Sequence, residues 1–168
     1  YTAKDRDRVR SLGVNSRIAV IANGIDTERF TCTGPESTLV EHDGPKVLFV
    51  GRLVDGKRPH DAIKTLAKLP DHLNAKLFVV GNGPLRDSLE RESQNKKVEF
   101  LGHVPYDEMP AIYRSGDALL LPSRAEGLPR TILEAFATCT PVVSSDLKQI
   151  TSLVREAGET VPNSDITG

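Results

Sequence analysis

The residues of this sequence best suited to chemistry are two glutamates, Glu126 and Glu134, which are separated by seven residues. The apolar run Ala118–Leu121 predicts a strand, and Pro129, whose fixed φ suits a first helical turn, predicts a helix over residues 130–138. The two carboxylates therefore flank a strand-to-helix turn. In an open α/β sheet such a turn lies at the carboxyl end of a strand, where ligands bind, and carboxylates there can accept hydrogen bonds from ligand hydroxyls.

The two glutamates also have a purely structural interpretation. Glu126 could be a solvated loop residue, and Glu134 could compensate the positive end of the helix dipole. Arg130 stands four residues before Glu134, which is the spacing of a helical ion pair. On the helical wheel, Glu134 falls outside the apolar stripe of its helix. Residue types and spacing alone leave both interpretations open.

Two cations follow the strand that the apolar run Lys46–Val50 predicts. The strand ends at Gly51, and Arg52 and Lys57 come shortly after it. A glycine at a strand end lets a ligand approach the backbone, and two cations suit the negative charges of a diphosphate. Two exposed basic residues in a loop would produce the same pattern, so that alternative stays open as well.

A glycine-rich turn containing Gly81 and Gly83 follows the apolar strand predicted over residues 75–80. The turn lacks the third glycine of a dinucleotide-binding fingerprint, and Pro84 has no amide to offer to a phosphate. His103 follows a further predicted strand, and a histidine in such a place is more often a turn residue than a catalyst. None of these positions defines a site without its neighbours.

The segment from Glu126 to Glu134, followed by Ala-Phe-Ala and then Thr-Pro-Val-Val, resembles the signature of the retaining GT-B-fold glycosyltransferases, glycosyltransferases group 1. Residues 23–26 and Phe30 resemble a loop of the same family, and the resemblance extends over about residues 14–162. It implies the C-terminal, donor-binding domain of an enzyme that moves a hexosyl unit from a nucleotide-diphosphate sugar to an acceptor hydroxyl.

The resemblance also implies a role for each candidate residue. Glu134 would bind the ribose of the donor, and Glu126 would lie against its sugar. Arg52 and Lys57 would hold the diphosphate, and with Glu126 they would be the catalytic residues. No metal ion and no cofactor is expected, because the cationic side chains take the place of a metal. The remaining donor-binding positions would be Gly51, Gly81, Gly83, His103, Gly127 and Leu128.

The resemblance carries expectations about the rest of the protein too. Residues 1–13 would be a linker helix from an N-terminal acceptor-binding domain that this chain lacks, and residues 14–168 the nucleotide-sugar-binding domain. Half of the active-site cleft would then be missing, so the chain alone is expected to be inactive. An association of the full-length protein with a membrane surface is left open. Two alternatives remain, a nucleotide-sugar epimerase of GT-B architecture and a Rossmann domain that binds NAD.

The order of the predicted elements is strand, helix, strand, helix throughout most of the chain. Such an alternation predicts an α/β fold with a doubly wound parallel sheet, Rossmann-like, corresponding to one half of a GT-B fold. A weak helix is predicted over residues 147–157. The predicted strands are residues 17–22, 46–50, 75–80, 98–101, 118–121, 141–144 and 159–161.

The composition bounds these expectations. The 168 residues are 38% hydrophobic and 27% charged, with a net charge of −1, so nothing favours nucleic acid as a partner. Cys32 and Cys139 lie far apart in the sequence without metal-ligand spacing, which predicts free thiols and a cytoplasmic location. The family usually has glycine where Cys139 stands, and the sequence leaves open whether the backbone there is left-handed.

Overall fold

The computed structural model describes residues 3–21, 23–93, 97–148, 150–155 and 157–162. Its centre is a six-stranded sheet in the order β3-β2-β1-β4-β5-β6, and every neighbouring pair is parallel. The predicted doubly wound parallel sheet is therefore confirmed. The strands are β1 (Lys46–Val50), β2 (Lys76–Val80), β3 (Val98–Gly102), β4 (Ala118–Leu121), β5 (Val142–Ser145) and β6 (Gly158–Val161).

Helices connect most of these strands, and the loops of the described ranges contain three single turns of 3₁₀ helix. In the described part of the chain, none of the helices combines the length and apolar character needed to cross a membrane. The 3₁₀ turns are Thr38–Val40, Asp55–Lys57 and Asp71–Leu73. The α-helices are α1 (Ala3–Ser11), α2 (Pro59–Ala67), α3 (Arg86–Glu92), α4 (Met109–Ser115), α5 (Arg130–Ala137) and α6 (Thr151–Val154).

The sheet has a hydrophobic core on each face, because successive residues of a strand point to opposite sides. On one face Leu48 and Phe78 pack with Ile112 of α4 and Ile132 of α5. On the other face Phe49 packs with apolar residues of α2 and α3, among them Ala62, Ile63, Leu66 and Leu89. Burial on both faces explains why the central strands β1, β2 and β4 are almost continuously apolar.

The strand order reverses direction between β1 and β4. From β1 the chain continues to β2 and β3 on one side of the sheet, whereas β4 leads to β5 and β6 on the other. The helices that follow β1 and β4 pack on opposite faces of the sheet, and the crevice between the carboxyl ends of these two strands is the usual ligand site of such sheets. Gly51 to Lys57 and Pro122 to Pro129 border this crevice.

The strand predicted at residues 17–22 is wrong. Residues 17–21 form no strand, and Ile21 is 76% exposed, while residue 22 lies outside the described part of the chain. An apolar run has the propensity for a strand, but it becomes one only by pairing with a neighbour. In the described sheet the edges are β3 and β6, and residues 17–21 pair with neither.

The expectation of free thiols is also wrong. Cys32 and Cys139 form a disulfide whose Cα atoms are 5.0 Å apart, although the two residues are 107 positions apart in the sequence. Cys139 has a φ of 60°, so the left-handed alternative holds at this glycine-like position. Because disulfides are rare in the cytosol, the cysteines no longer support a cytoplasmic location, which stays a prediction.

Candidate functional site at the carboxyl ends of β1 and β4

Helix α5 carries a buried carboxylate. The side chain of Glu134 is only 8% exposed, although the helical wheel left it outside the apolar stripe. Tyr113 Oη of α4 donates a hydrogen bond to Glu134 Oε2 at 2.9 Å, and Arg130 Nε lies 3.7 Å from Glu134 Oε1. The anticipated helical pair with Arg130 exists, and Glu134 also accepts a hydrogen bond from a second helix, which the structural interpretation did not include.

Two tyrosines surround this carboxylate. Burial raises the pKa of Tyr113 well above its usual value, and the negative charge of Glu134 raises it further. Burial also raises the pKa of Tyr106, again with a contribution from Glu134. The Tyr106 ring lies 5.2 Å from the Arg130 guanidinium, and Arg130 Nη2 donates to the Tyr106 hydroxyl. Both tyrosines therefore stay neutral at physiological pH.

Glu126 and Lys57 form an ion pair across the crevice. Lys57 Nζ donates to Glu126 Oε1, and the side chains are 27% and 8% exposed. Nearby, the Arg124 amide donates to the Gly56 carbonyl at 3.0 Å. These contacts join the loop after β1 to the loop after β4. Without ligand, Glu126 therefore compensates the charge of Lys57.

Arg52 is the second cation at this edge, and it is exposed. Within the described residues its side chain makes no hydrogen bond or ion pair. The amide of the preceding Gly51 donates to the Val80 carbonyl at 2.9 Å, which ties the end of β1 to the end of β2. A Cβ on Gly51 would meet no atom within 4 Å, so the backbone here is open to an approaching ligand.

The packing of the fold itself explains why positions 81 and 83 are glycine. A Cβ on Gly81 would lie 2.0 Å from the Gly51 carbonyl oxygen, and one on Gly83 would lie 2.4 Å from that of Leu53. Gly81 also has a φ of 128°, which disfavours any other residue. The loops after β1 and β2 can pack closely only with glycine at both positions. A contact of these glycines with a nucleotide stays a prediction.

The other predicted residues lie at the same edge of the sheet. His103 directly follows β3, and both it and Gly127 are exposed. Leu128 is partly buried, and its carbonyl accepts a hydrogen bond from Asn23 Nδ2 at 2.9 Å. The structure thus gathers the candidate residues around one crevice, while their roles toward a ligand stay predictions.

Sequence reasoning missed Tyr113 and Tyr106 as neighbours of Glu134. A signal was available, because a buried tyrosine hydroxyl needs a hydrogen-bond partner. The sequence does not say which residue that partner is.

Tyr113 leads to a prediction about alkaline pH. In the unfolded chain the Tyr113 hydroxyl ionises near pH 10. In the folded protein the hydroxyl stays protonated to higher pH, because it is buried and lies near Glu134, Arg130 and Tyr106. Its contribution to stability is complete below pH 10 and falls above it, by about 1.4 kcal/mol per pH unit. Urea unfolding of wild type and Tyr113→Phe at pH 9, 10 and 11 should show this difference in slope. Parallel pH profiles of the two proteins would contradict it.

Comparisons with known proteins identify the family of this chain. Residues 34–166 match the family described as glycosyl transferases group 1, and the chain belongs to that family. An uncharacterized glycosyltransferase of Methanocaldococcus jannaschii is 33% identical over 151 residues, covering 83% of this chain and 39% of the relative. A glycogen synthase of Mycobacterium tuberculosis is 36% identical over 138 residues, covering 79% and 32%. The chain therefore spans less than half the length of these relatives.

Solved structures share the fold. A sucrose-phosphate synthase from Thermosynechococcus elongatus superimposes with a TM-score of 0.79 at 23% identity, over 98% of this chain and 44% of that one. The Anabaena protein HepE, solved in complex with UDP, gives a TM-score of 0.75 at 25% identity, over 88% and 44%. The expected likeness to a Rossmann-like half of a GT-B glycosyltransferase is therefore confirmed.

Proposed function

We propose that this chain is the donor-binding domain of a retaining glycosyltransferase that moves a hexosyl unit from a nucleotide-diphosphate sugar to an acceptor hydroxyl. The observation that carries the proposal is the Lys57–Glu126 ion pair across the crevice, with the buried carboxylate of Glu134 on the helix that follows. Two structural neighbours support a nucleotide-sugar ligand. HepE was solved in complex with UDP, and a pneumococcal O-GlcNAc transferase in complex with UDP and GlcNAc.

In this proposal the two cations hold the diphosphate. Arg52 is exposed at the end of β1, and Lys57 exchanges its partner Glu126 for a phosphate oxygen when the donor binds. As the bond to the sugar breaks, negative charge grows on the leaving diphosphate, and fixed cations stabilise it. The amides in the first turn of α5 face the same anion, since the start of a helix favours negative charge.

The two carboxylates take different parts of the donor. Glu134 accepts hydrogen bonds from the ribose hydroxyls, which do not change during the reaction. Glu126, released from Lys57, contacts the sugar hydroxyls and offsets the positive charge that develops at the anomeric carbon. Retention of configuration is part of the proposal. No step in it requires a metal ion.

The proposal also covers the organisation of the whole protein. Residues 1–13 link this domain to a second, acceptor-binding domain, and the active site lies in the cleft between the two. The chain alone binds the donor but does not transfer sugar, because the acceptor has no site and water is not excluded. An epimerase of the same architecture or an NAD-binding domain would use the same sheet edge, but neither accounts as well for the family to which the chain belongs.

Nucleotide binding tests the proposal. Thermal shift with UDP, GDP, ADP and NAD should give stabilisation by at least one nucleoside diphosphate and none by NAD.

Lys57→Ala should reduce affinity for that diphosphate by about tenfold, since a charge-assisted contact to phosphate is lost, and the affinity should fall as salt rises. Lys64→Ala removes an exposed lysine of α2 and is the matched control. Stabilisation by NAD alone, or an equal effect of both lysine variants, would contradict the assignment.

A further inference from the structure

Tyr113 holds the carboxylate of Glu134 from a different helix. Its hydroxyl donates to Glu134 Oε2 at 2.9 Å, and both residues are buried. A glutamate side chain has three rotatable bonds and several accessible rotamers. A hydrogen bond from a second, rigid element restricts those rotamers before any ligand arrives, so less entropy is lost on binding.

Tyr113 itself is fixed by packing on several sides. Its side chain is fully buried, and its ring centroid lies 6.2 Å from that of Phe30. Its backbone carbonyl accepts a hydrogen bond from Thr140 Oγ1 at 2.7 Å. The position of the Tyr113 hydroxyl is therefore set by the core beneath α4 and α5, and not by whatever binds in the crevice.

The hydrogen bond leaves further acceptor positions on the carboxylate. An ionised carboxylate has about four lone-pair sites, of which Tyr113 uses one on Oε2, and the Tyr106 hydroxyl also interacts with the carboxylate. Oε1 faces Arg130, whose side chain is 52% exposed and lies 3.7 Å away. A neutral acceptor could satisfy the Tyr113 hydroxyl without the desolvation penalty of a buried charge. A buried carboxylate at this position therefore has a use beyond the Tyr113 hydroxyl, which is to accept further hydrogen bonds.

We propose that Tyr113 is a positioning residue, which orients the Glu134 carboxylate to accept both hydroxyls of a vicinal diol and so makes the site selective for ribose. The proposal rests on the proposed function, in which Glu134 binds the ribose of the donor. It assigns the selectivity for an intact ribose to a pair of residues on α4 and α5. Tyr113 itself need not touch the nucleotide.

Titration calorimetry with matched ligands tests this assignment. UDP, GDP and ADP are each compared with the 2′,3′-dideoxy form of the same nucleotide, using wild type, Tyr113→Phe and Ile112→Val. Ile112 is a fully buried neighbour on α4, so its truncation loosens the same packing without removing the hydroxyl. Wild type and Ile112→Val should prefer the ribose form by about 10²-fold. Tyr113→Phe should lower that preference about tenfold and leave the dideoxy affinity unchanged.

The outcomes separate the inference from the proposed function. If wild type binds ribose and dideoxyribose forms equally in all three pairs, Glu134 does not bind ribose, and the proposed function loses its ribose site. If wild type discriminates but Tyr113→Phe discriminates as strongly, the positioning role is wrong. Equal losses for both ligand forms in Tyr113→Phe would also overturn it, because they would indicate a structural role alone.

Discussion

Reduction of the Cys32–Cys139 disulfide is expected to lower the melting temperature of this domain by about 10–20 °C. The bridge joins residues that are 107 positions apart. In the chain-entropy treatment, a cross-link that closes a loop of about 100 residues stabilises the folded state by about 4.7 kcal/mol. For a domain of this size, each kcal/mol corresponds to roughly 2–4 °C. Thermal unfolding with and without a phosphine reductant measures the change.

Variants separate the cross-link from the backbone conformation of Cys139. Cys32→Ser/Cys139→Ser should melt like the reduced wild type and should not respond to reductant. Cys139 is left-handed, with a φ of 60°, which costs a non-glycine residue roughly 1–2 kcal/mol. Cys32→Ser/Cys139→Gly should therefore be more stable than Cys32→Ser/Cys139→Ala by about 1 kcal/mol. A wild-type melting temperature that does not change on reduction would show that the bridge contributes nothing.

Glu134→Ala is expected to weaken the binding of nucleoside diphosphate by about 10²-fold. The variant loses two charge-assisted hydrogen bonds to ribose, each worth roughly 1.5–3 kcal/mol before water partly replaces them. The net loss of binding free energy is about 3 kcal/mol. Glu126→Gln should bind the sugar-free diphosphate no more weakly than wild type, because it contacts the sugar and its neutral amide releases Lys57. Calorimetric titration of both variants with the same diphosphate compares them directly.

The burial of Glu134 requires a second variant in that experiment. Truncation to alanine leaves the hydroxyl of buried Tyr113 without its partner and opens space beneath α5, so part of any loss could come from the fold. Glu134→Gln keeps the volume and an acceptor for Tyr113, and it should still lose most of the affinity because the charge is gone. The role assignment is wrong if Glu134→Gln binds like wild type while retaining its melting temperature, or if Glu126→Gln loses as much as Glu134→Ala.

Much of the sheet could be predicted from the sequence, because its central strands β1 and β2 are apolar and buried on both faces. The strands predicted at residues 75–80 and 98–101 differ from β2 and β3 by one residue at one end, and the strand predicted at residues 141–144 is shifted by one residue relative to β5. A buried parallel strand is apolar at nearly every position and is bounded by glycine or proline, and both signals are local. Residues 17–21 carry the same signal without a pairing partner, and there the prediction was wrong.

The helix wheel was less informative about the candidate site. It placed Glu134 outside the apolar stripe, whereas the structure buries Glu134 together with Ile132 and Ala135. The wheel describes one helix in isolation, whereas burial depends on what packs against each side. Helix α4 brings Tyr113 onto the Glu134 side of α5, and no spacing within α5 contains that information.

The class of fold, the family resemblance and the residues at the carboxyl ends of the strands can all be predicted from the sequence. These properties depend on local composition and on spacing within short segments. The pairing of Lys57 with Glu126, the hydrogen bond from Tyr113 to Glu134 and the bridge between Cys32 and Cys139 are visible only in the folded chain. Each of these contacts joins residues from separate elements. The order in which strands assemble into the sheet sets which loops and helices become neighbours, and that order is not encoded in the spacing of any one segment.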